Sequence, residues 1–213
     1  MGAEGSVPDQ MADFVDRMPM KSRVVDAASR AIIADGLAAD VGDIARQAAV
    51  GVDVVNDLFP TLNALVNAVV RQFLADCNRI VEDCAGVPDG HGLETFLYAT
   101  GDLGATRGRL FTFAYAFDSR TAETILGIRS GVPVLLTNAQ HHRRIRSDIT
   151  PTDIDDTVRT MFSLIDRFGR QAPGCWRRWL AVTLAGMRPG TEELTTPPLT
   201  EAESTRVIKT TFL

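Results

Sequence analysis

The 213-residue chain is poor in the side chains that most often carry chemistry: it has three cysteines, three histidines, two tryptophans and two tyrosines. Cys77, Cys84 and Cys175 have neither the CxxC spacing of a zinc site nor an even count, which fits a reducing compartment and thiols packed as small hydrophobes. No apolar run reaches the ~18 residues a bilayer crossing needs. The first twenty residues carry acids and no apolar h-region, so the reading is a cytoplasmic protein with no membrane partner. Positive charge is not in excess either; 22 Lys and Arg against 27 Asp and Glu leave a net charge of −5 and no global attraction for a polyanion. GxSxG, HExxH, P-loop and dinucleotide patterns are missing, and no Ser/His/Asp set can be assembled. No catalytic residue is therefore assigned, and no metal or cofactor is expected. What the chain does have is 45% apolar and 23% charged residues, enough to bury a core in one or two small domains and to exclude disorder.

The apolar spacing reads as helices throughout. Residues 1–19 mix Gly, Pro, acids and methionines without periodicity and read as an arm. From Ser22, Val24, Val25, Ala28, Ile32 and Ile33 recur at helical intervals until Gly36. Asp40 can cap a second helix with Val41, Ile44 and Ala45 inward, and the chain turns near Ala49 to Gly51. A short third helix carries Val55 and Leu58 and stops at Phe59-Pro60-Thr61, because Pro60 disfavours a helical Phe59. Thr61 can then cap a long helix from Leu62 to Cys84, with Leu65, Val69, Phe73 and Ile80 on its stripe. Further helices are expected at Leu93–Leu103 and Thr106–Asp118, separated by glycines, and at Thr121–Gln140 with a kink or break at Pro133. Thr150-Pro151 with Asp153 is a strong start for a helix to Phe168, and Pro173 opens the last one. Residues 20–60 thus read as a three-helix head, 61–188 as a helical body and 189–213 as a tail.

Three helices with a tight turn between the second and third make the helix-turn-helix pattern, whose third helix would lie in a DNA major groove. The residues sharpen it: Val24-Val25-Asp26-Ala27-Ala28, Gly36-Leu37, Asp43-Ile44-Ala45-Arg46-Gln47-Ala48-Ala49-Val50, Leu58-Phe59-Pro60 and Leu65. In order and register this resembles the amino-terminal domain of the tetracycline-repressor (TetR) family of bacterial regulators, from about Val24 to Phe73. The resemblance implies an all-α homodimer whose body takes a small apolar effector and whose heads bind DNA. It also implies a mechanism in which the effector moves the helix joining the domains.

The residues that family uses to hold DNA are largely replaced. Residues 20–70 hold four cations, Lys21, Arg23, Arg30 and Arg46, against six aspartates, and none lies between Gln47 and Val70. The family's phosphate-binding tyrosine and lysine positions hold Asn56 and Leu62, and the start of its recognition helix holds Gly51, Asp53 and Val54. Lys21, Arg23 and Arg46 are the candidate backbone contacts, and Gln47 and Asn56 the candidate base readers. DNA binding is accordingly read as doubtful or atypical. The alternative is a protein of the same fold that has lost DNA binding and binds or chemically transforms an apolar molecule.

In the body, Leu110 to Asp118 concentrates aromatics, which read either as core or as the wall of an apolar pocket of roughly 300 to 1,000 Å³. Tyr98, Arg109, Phe111, Phe113, Tyr115, Phe117, Asp118, Met161, Phe162 and Ile165 are the candidate lining. Tyr98, Tyr115, Asp118 and His91 are the first groups to test for any acid-base chemistry. His141 and His142 diverge by about 100° on a helix and cannot readily share a metal; with Arg143, Arg144 and Arg146 they read as a solvated basic helix end. Trp176, Trp179, Leu180, Thr183, Leu184 and Met187 share one face, either half of a dimer seam or intramolecular core.

Overall fold

A computed structural model describes residues 19–114, 119–169, 171–190, 192, 194–204 and 206, with side chains left aside at 37 and 108–129. Among the described residues the chain is helical, with no strands: α1 Met20–Asp35, a 3-10 turn Gly36–Ala38, α2 Val41–Ala48, α3 Val52–Leu58, α4 Leu62–Ala85, α5 Gly92–Ala114, α6 Ser119–His141, α7 Pro151–Phe168 and α8 Cys175–Gly186. It divides into two compact units, Met1–Val69 and Val70–Leu213, and α4 runs through the division.

In the first unit α1 packs on α2, and α2 on α3. Val24, Ala27, Ala28 and Ile32 on α1 and Ile44 on α2 are fully buried. The helix boundaries follow the punctuation. Gly36 sits at φ 68, which a side chain would resist, and ends α1. The Asp40 carboxylate accepts from the Gly42 and Asp43 amides at 2.7 and 3.1 Å and starts α2. Thr61 Oγ1 accepts from the Ala64 amide at 3.1 Å and starts α4. On α4 Leu65, Val69 and Phe73 are buried as the spacing predicts, while Ile80 is half-buried.

The second unit is built on glycines that admit large neighbours. On α5, a Cβ at Gly101 would lie inside the Trp176 ring of α8, and one at Gly104 would strike the Phe162 ring of α7. Trp176 is 1% exposed there, and Leu180, Leu184 and Met187 are buried with it. The aromatic face of the last helix is therefore intramolecular core, and Leu184 and its neighbours are not the dimer seam. What α8 turns outward is Val182, 55% exposed, beside a half-buried Trp179, and α7 ends in Phe168, 46% exposed.

Two expected interruptions are placed differently. Helix α6 runs through Pro133 without a break. Helix α5 holds both glycines and departs from helical geometry instead at Arg107 (φ −136, ψ 18), where the guanidinium reaches the Asp76 carboxylate of α4 at 2.7 Å. Helix α7 starts as its sequence dictates: the Asp153 carboxylate accepts from the Thr150 amide at 2.8 Å and its hydroxyl at 2.7 Å, completing a capping box ahead of Pro151.

The stretch after Met187 is more than a tail. Arg146 donates to the Glu192 carbonyl, Thr152 Oγ1 to the Leu199 carbonyl at 2.8 Å, and Arg159 to Ser204 Oγ at 3.2 Å. Thr200 and Glu203 cap a helical turn over 201–204 in which Ser204 is fully buried. A hydroxyl and a guanidinium on α7 supplied no hydrophobic signal by which the sequence could announce this docking.

Because Gly101 makes room for the largest side chain of the core, Gly101→Ala is expected to destabilise the second unit by about 1–3 kcal/mol, the usual cost of overpacking. Thermal unfolding followed by Trp fluorescence measures it; an unchanged midpoint would show that the ring gives way freely.

Candidate nucleic-acid interface and ligand-binding body

The turn between α2 and α3 is where a helix-turn-helix head is made or lost. Ala49 ends α2 in the left-handed region (φ 53, ψ 48), and its amide reaches back to the Ala45 and Arg46 carbonyls. The last carbonyls of a helix have no intrahelical donor. Arg23 of α1 supplies one, donating through Nε to the Ala48 carbonyl at 3.1 Å and through Nη2 to the Ala49 carbonyl at 2.9 Å. A cation there also complements the negative end of the helix. Arg23, expected as a DNA contact, is half-buried and fastens the turn instead.

The other candidates lie on the surface. The Lys21 ammonium is 5.8 Å from the centre of the Phe59 ring, a cation–π contact. Arg46 pairs with Asp43 one turn earlier, their side chains 76% and 52% exposed. Such an exposed pair contributes about 0–1 kcal/mol and can be exchanged for another anion. Gln47 and Asn56 are exposed, as are Asp53 and Asp57. On α3 the buried residue is Val55, with Leu58 half-buried, so Val52, Asp53, Asn56 and Asp57 form the outward face. Gly51 caps α3 without a side-chain hydrogen bond, and the Asp53 carboxylate folds back over it. Leu62, in place of a cation, leaves its side chain 39% exposed at the start of α4.

In the body, Phe162 and Ile165 come together against Gly104, and Met161 is fully buried on the same helix. Tyr98 is half-buried with its ring centre 6.3 Å from that of Trp176, so it packs on the core aromatic. Arg109, Phe111 and Phe113 lie on α5, but their side chains are outside the described set; Tyr115, Phe117 and Asp118 lie outside the described residues. Sequence reasoning missed Thr100. Its Oγ1 is buried on the face that carries Leu97 and Gly104 and is one of the side-chain oxygens without a hydrogen-bond partner among the described residues. A lone hydroxyl in an apolar helix face was the available signal.

The basic stretch is less solvated than it reads. Arg144 donates to the Asp89 carbonyl at 2.7 Å and contacts His91, tying the α4–α5 loop to the end of α6. Arg146 forks onto Asp148 at 2.6 and 2.8 Å and holds that carboxyl below its ordinary range. The rings of His141 and His142 meet edge to face with centres 5.3 Å apart. Among the described residues no group of three or more His, Cys, Asp or Glu could hold a metal. An open polar groove of about 740 Å³ lies between this stretch and the returning chain, lined by Gln140, Arg146, Asp148, Glu192 and Leu194 among others.

The chain matches no protein-family model, and no curated protein matches it. Solved structures do match. A TetR transcriptional regulator from Streptomyces coelicolor superposes with TM-score 0.64 at 25% identity, over 80% of this chain and 99% of its own. The fold is TetR-like. A TetR transcription regulatory protein from Mycobacterium vanbaalenii matches with TM-score 0.62 at 23% identity over 84% and 99% of the two chains. The ketosteroid transcriptional regulator of Mycobacterium tuberculosis matches with TM-score 0.59 at 16% identity, over 81% and 96%. The TetR-like scaffold of this chain is all-helical, and no described helix is long and apolar enough to cross a membrane.

Next to the Asp76–Arg107 pair, burial and the Asp76 charge push the Cys77 thiol up from 9.0 to about 12. The folded protein therefore keeps that proton while the unfolded chain gives it up above pH 9, so stability falls as pH rises from 9 towards 12. Denaturant midpoints measured across this window are expected to fall less steeply for Cys77→Ala than for the natural chain. Parallel curves would show that Cys77 is not shielded.

Proposed function

We propose that this TetR-like chain is a homodimeric, ligand-responsive transcriptional regulator whose grip on DNA is weak. The observation that carries this reading is the fastened turn: Arg23 closes the α2 carbonyls so that α3 is presented on the surface, as a reading helix must be. The weakness follows from what surrounds α3. Phosphate contacts by Lys and Arg supply most of the affinity of such heads. Here Arg23 is committed to the fold, Lys21 and Arg46 are the candidate cations that stay exposed, and Asp53 and Asp57 face outward.

Fluorescence anisotropy with the protein's own upstream DNA is the test. Binding is expected to be weak already at low salt and to fall with a shallow salt slope, as few phosphate contacts require, with Lys21→Ala and Arg46→Ala weakening all sequences alike. Asp53→Gly combined with Asn56→Tyr and Leu62→Lys should strengthen it. Nanomolar binding at physiological salt would overturn the electrostatic argument. Absence of binding even at low salt would favour a cavity protein without DNA function.

The body is proposed to take an apolar effector between α5 and α7, with the unpaired Thr100 hydroxyl and Tyr98 as polar handles beside Met161, Phe162 and Ile165. This is the arrangement expected of a largely apolar pocket with few polar groups. Dimerisation is proposed through α7 and α8, now on their outer faces. Sedimentation at micromolar concentration should give twice the 23.1 kDa of one chain. Val182→Glu is expected to split the dimer without lowering the monomer's helicity; a 23.1 kDa natural species would remove the proposal.

A further inference from the structure

Guanine is the base α3 is not equipped to read. In the major groove guanine offers two acceptors, N7 and O6, and the side chains that match them are Arg and Lys. Helix α3 has neither, and the segment from Gln47 to Val70 holds no cation at all. What α3 turns outward is a different set of donors and acceptors. Val55 is buried, which fixes the rotation of the helix, and Val52, Asn56 and Asp57 are exposed, Val52 and Asn56 one turn apart. Asp53 is exposed too, but its carboxylate is folded back over Gly51 at the start of the helix. Three chemistries thus remain: methyl groups at Val52, 45% exposed; an amide that both donates and accepts at Asn56; and a carboxylate that only accepts at Asp57.

Each has one good partner on a base edge. An amide matches adenine, donating to N7 and accepting from the N6 amino group. A carboxylate matches the cytosine N4 amino group and is repelled by the acceptors of guanine and by thymine O4. An isopropyl group one turn away packs on the thymine 5-methyl. We infer that α3 reads a half-site through adenine at Asn56, cytosine at Asp57 and a thymine methyl at Val52, with no guanine contact. The inference rests on the regulator reading and deepens it by naming the base edges. It also assigns Asp57 a purpose: a carboxylate that repels phosphate is useful only where it meets an amino group in the groove floor.

The experiment is selection from randomised duplexes at low salt with the full-length natural chain and with Asn56→Ala, Asp57→Asn and Val52→Ala. All three sites are on the surface, and unchanged thermal midpoints would establish that the variants fold. The natural chain is expected to enrich a half-site containing A, C and T. Asn56→Ala should relax the adenine position by about tenfold, within the range for one bidentate contact. Asp57→Asn should shift the neighbouring cytosine towards adenine. Deoxyuridine in place of thymine should weaken the natural chain about fourfold, the effect of one buried methyl, and leave Val52→Ala unaffected. Replacing guanine with 7-deazaguanine should change nothing. A selected site that fails with 7-deazaguanine, or one that all three variants select unchanged, would overturn the base assignment and leave the regulator standing. No enrichment by a folded dimer would overturn the regulator reading and this inference with it.

Discussion

The head depends on the satisfaction of two carbonyls. A helix of eight residues such as α2 has half of its carbonyls without an intrahelical donor, and the chain must reverse immediately after it. Ala49 makes that reversal in the left-handed region, where a residue with a Cβ is disfavoured. The Arg23 guanidinium bonded to Ala48 and Ala49 holds the reversed chain in place, with charge-assisted bonds each stronger than a neutral one. Everything α3 displays follows from that fixation, since a loose turn would present no defined face. One consequence is electrostatic: the cation closest to the turn is consumed by the fold, so the DNA-facing surface is poorer in positive charge than a count of residues suggests.

The body is governed by a different constraint, the close approach of helices at glycines. Gly101 and Gly104, one turn apart, let α5 settle onto Trp176 and Phe162. At Arg107 α5 leaves helical geometry and the guanidinium crosses to Asp76. The described part of the helix is therefore held in two ways, by glycine notches at Gly101 and Gly104 and by an ion pair at Arg107. An effector taken between α5 and α7 would therefore have to move side chains that already fill these notches, because protein interiors packed at crystal density have no room to share.

Much of this was legible because it was local. Gly36, Asp40, Thr61 and Thr150-Pro151 act within four residues of themselves, and the helix termini fall where those residues place them. The apolar periodicity gave the buried faces of α1, α2 and α4 for the same reason. What escaped was what depends on distant partners. The outcome at Trp176, core or seam, turns on a glycine 75 positions away. Pro133 is absorbed inside α6, whereas the interruption that the glycines announced in α5 falls a few residues later, at the arginine that reaches Asp76. Arg144 and Arg146 look like a solvated patch until Asp89, Asp148 and Glu192 come into reach. In the candidate interface the sequence correctly marked which positions had changed, but the commitment of Arg23 could be seen only with the turn folded.

A weak head has a mechanistic consequence for regulation. Coupling between effector and DNA is reciprocal and typically amounts to about 1–3 kcal/mol, or 5- to 150-fold. A repressor that holds its site with a large surplus of affinity needs all of that coupling to be displaced. With Arg23 unavailable and Arg46 shared with Asp43, the proposed regulator has little surplus, so even the low end of the range releases it. The same deficit places the burden of discrimination on base contacts, since a surface that attracts every phosphate weakly also binds nonspecific DNA weakly. Loss of cations therefore lowers the ceiling on affinity without lowering the ratio between the right site and the wrong one. That ratio is set by Val52, Asn56 and Asp57, and it survives as long as Arg23 keeps α3 in place.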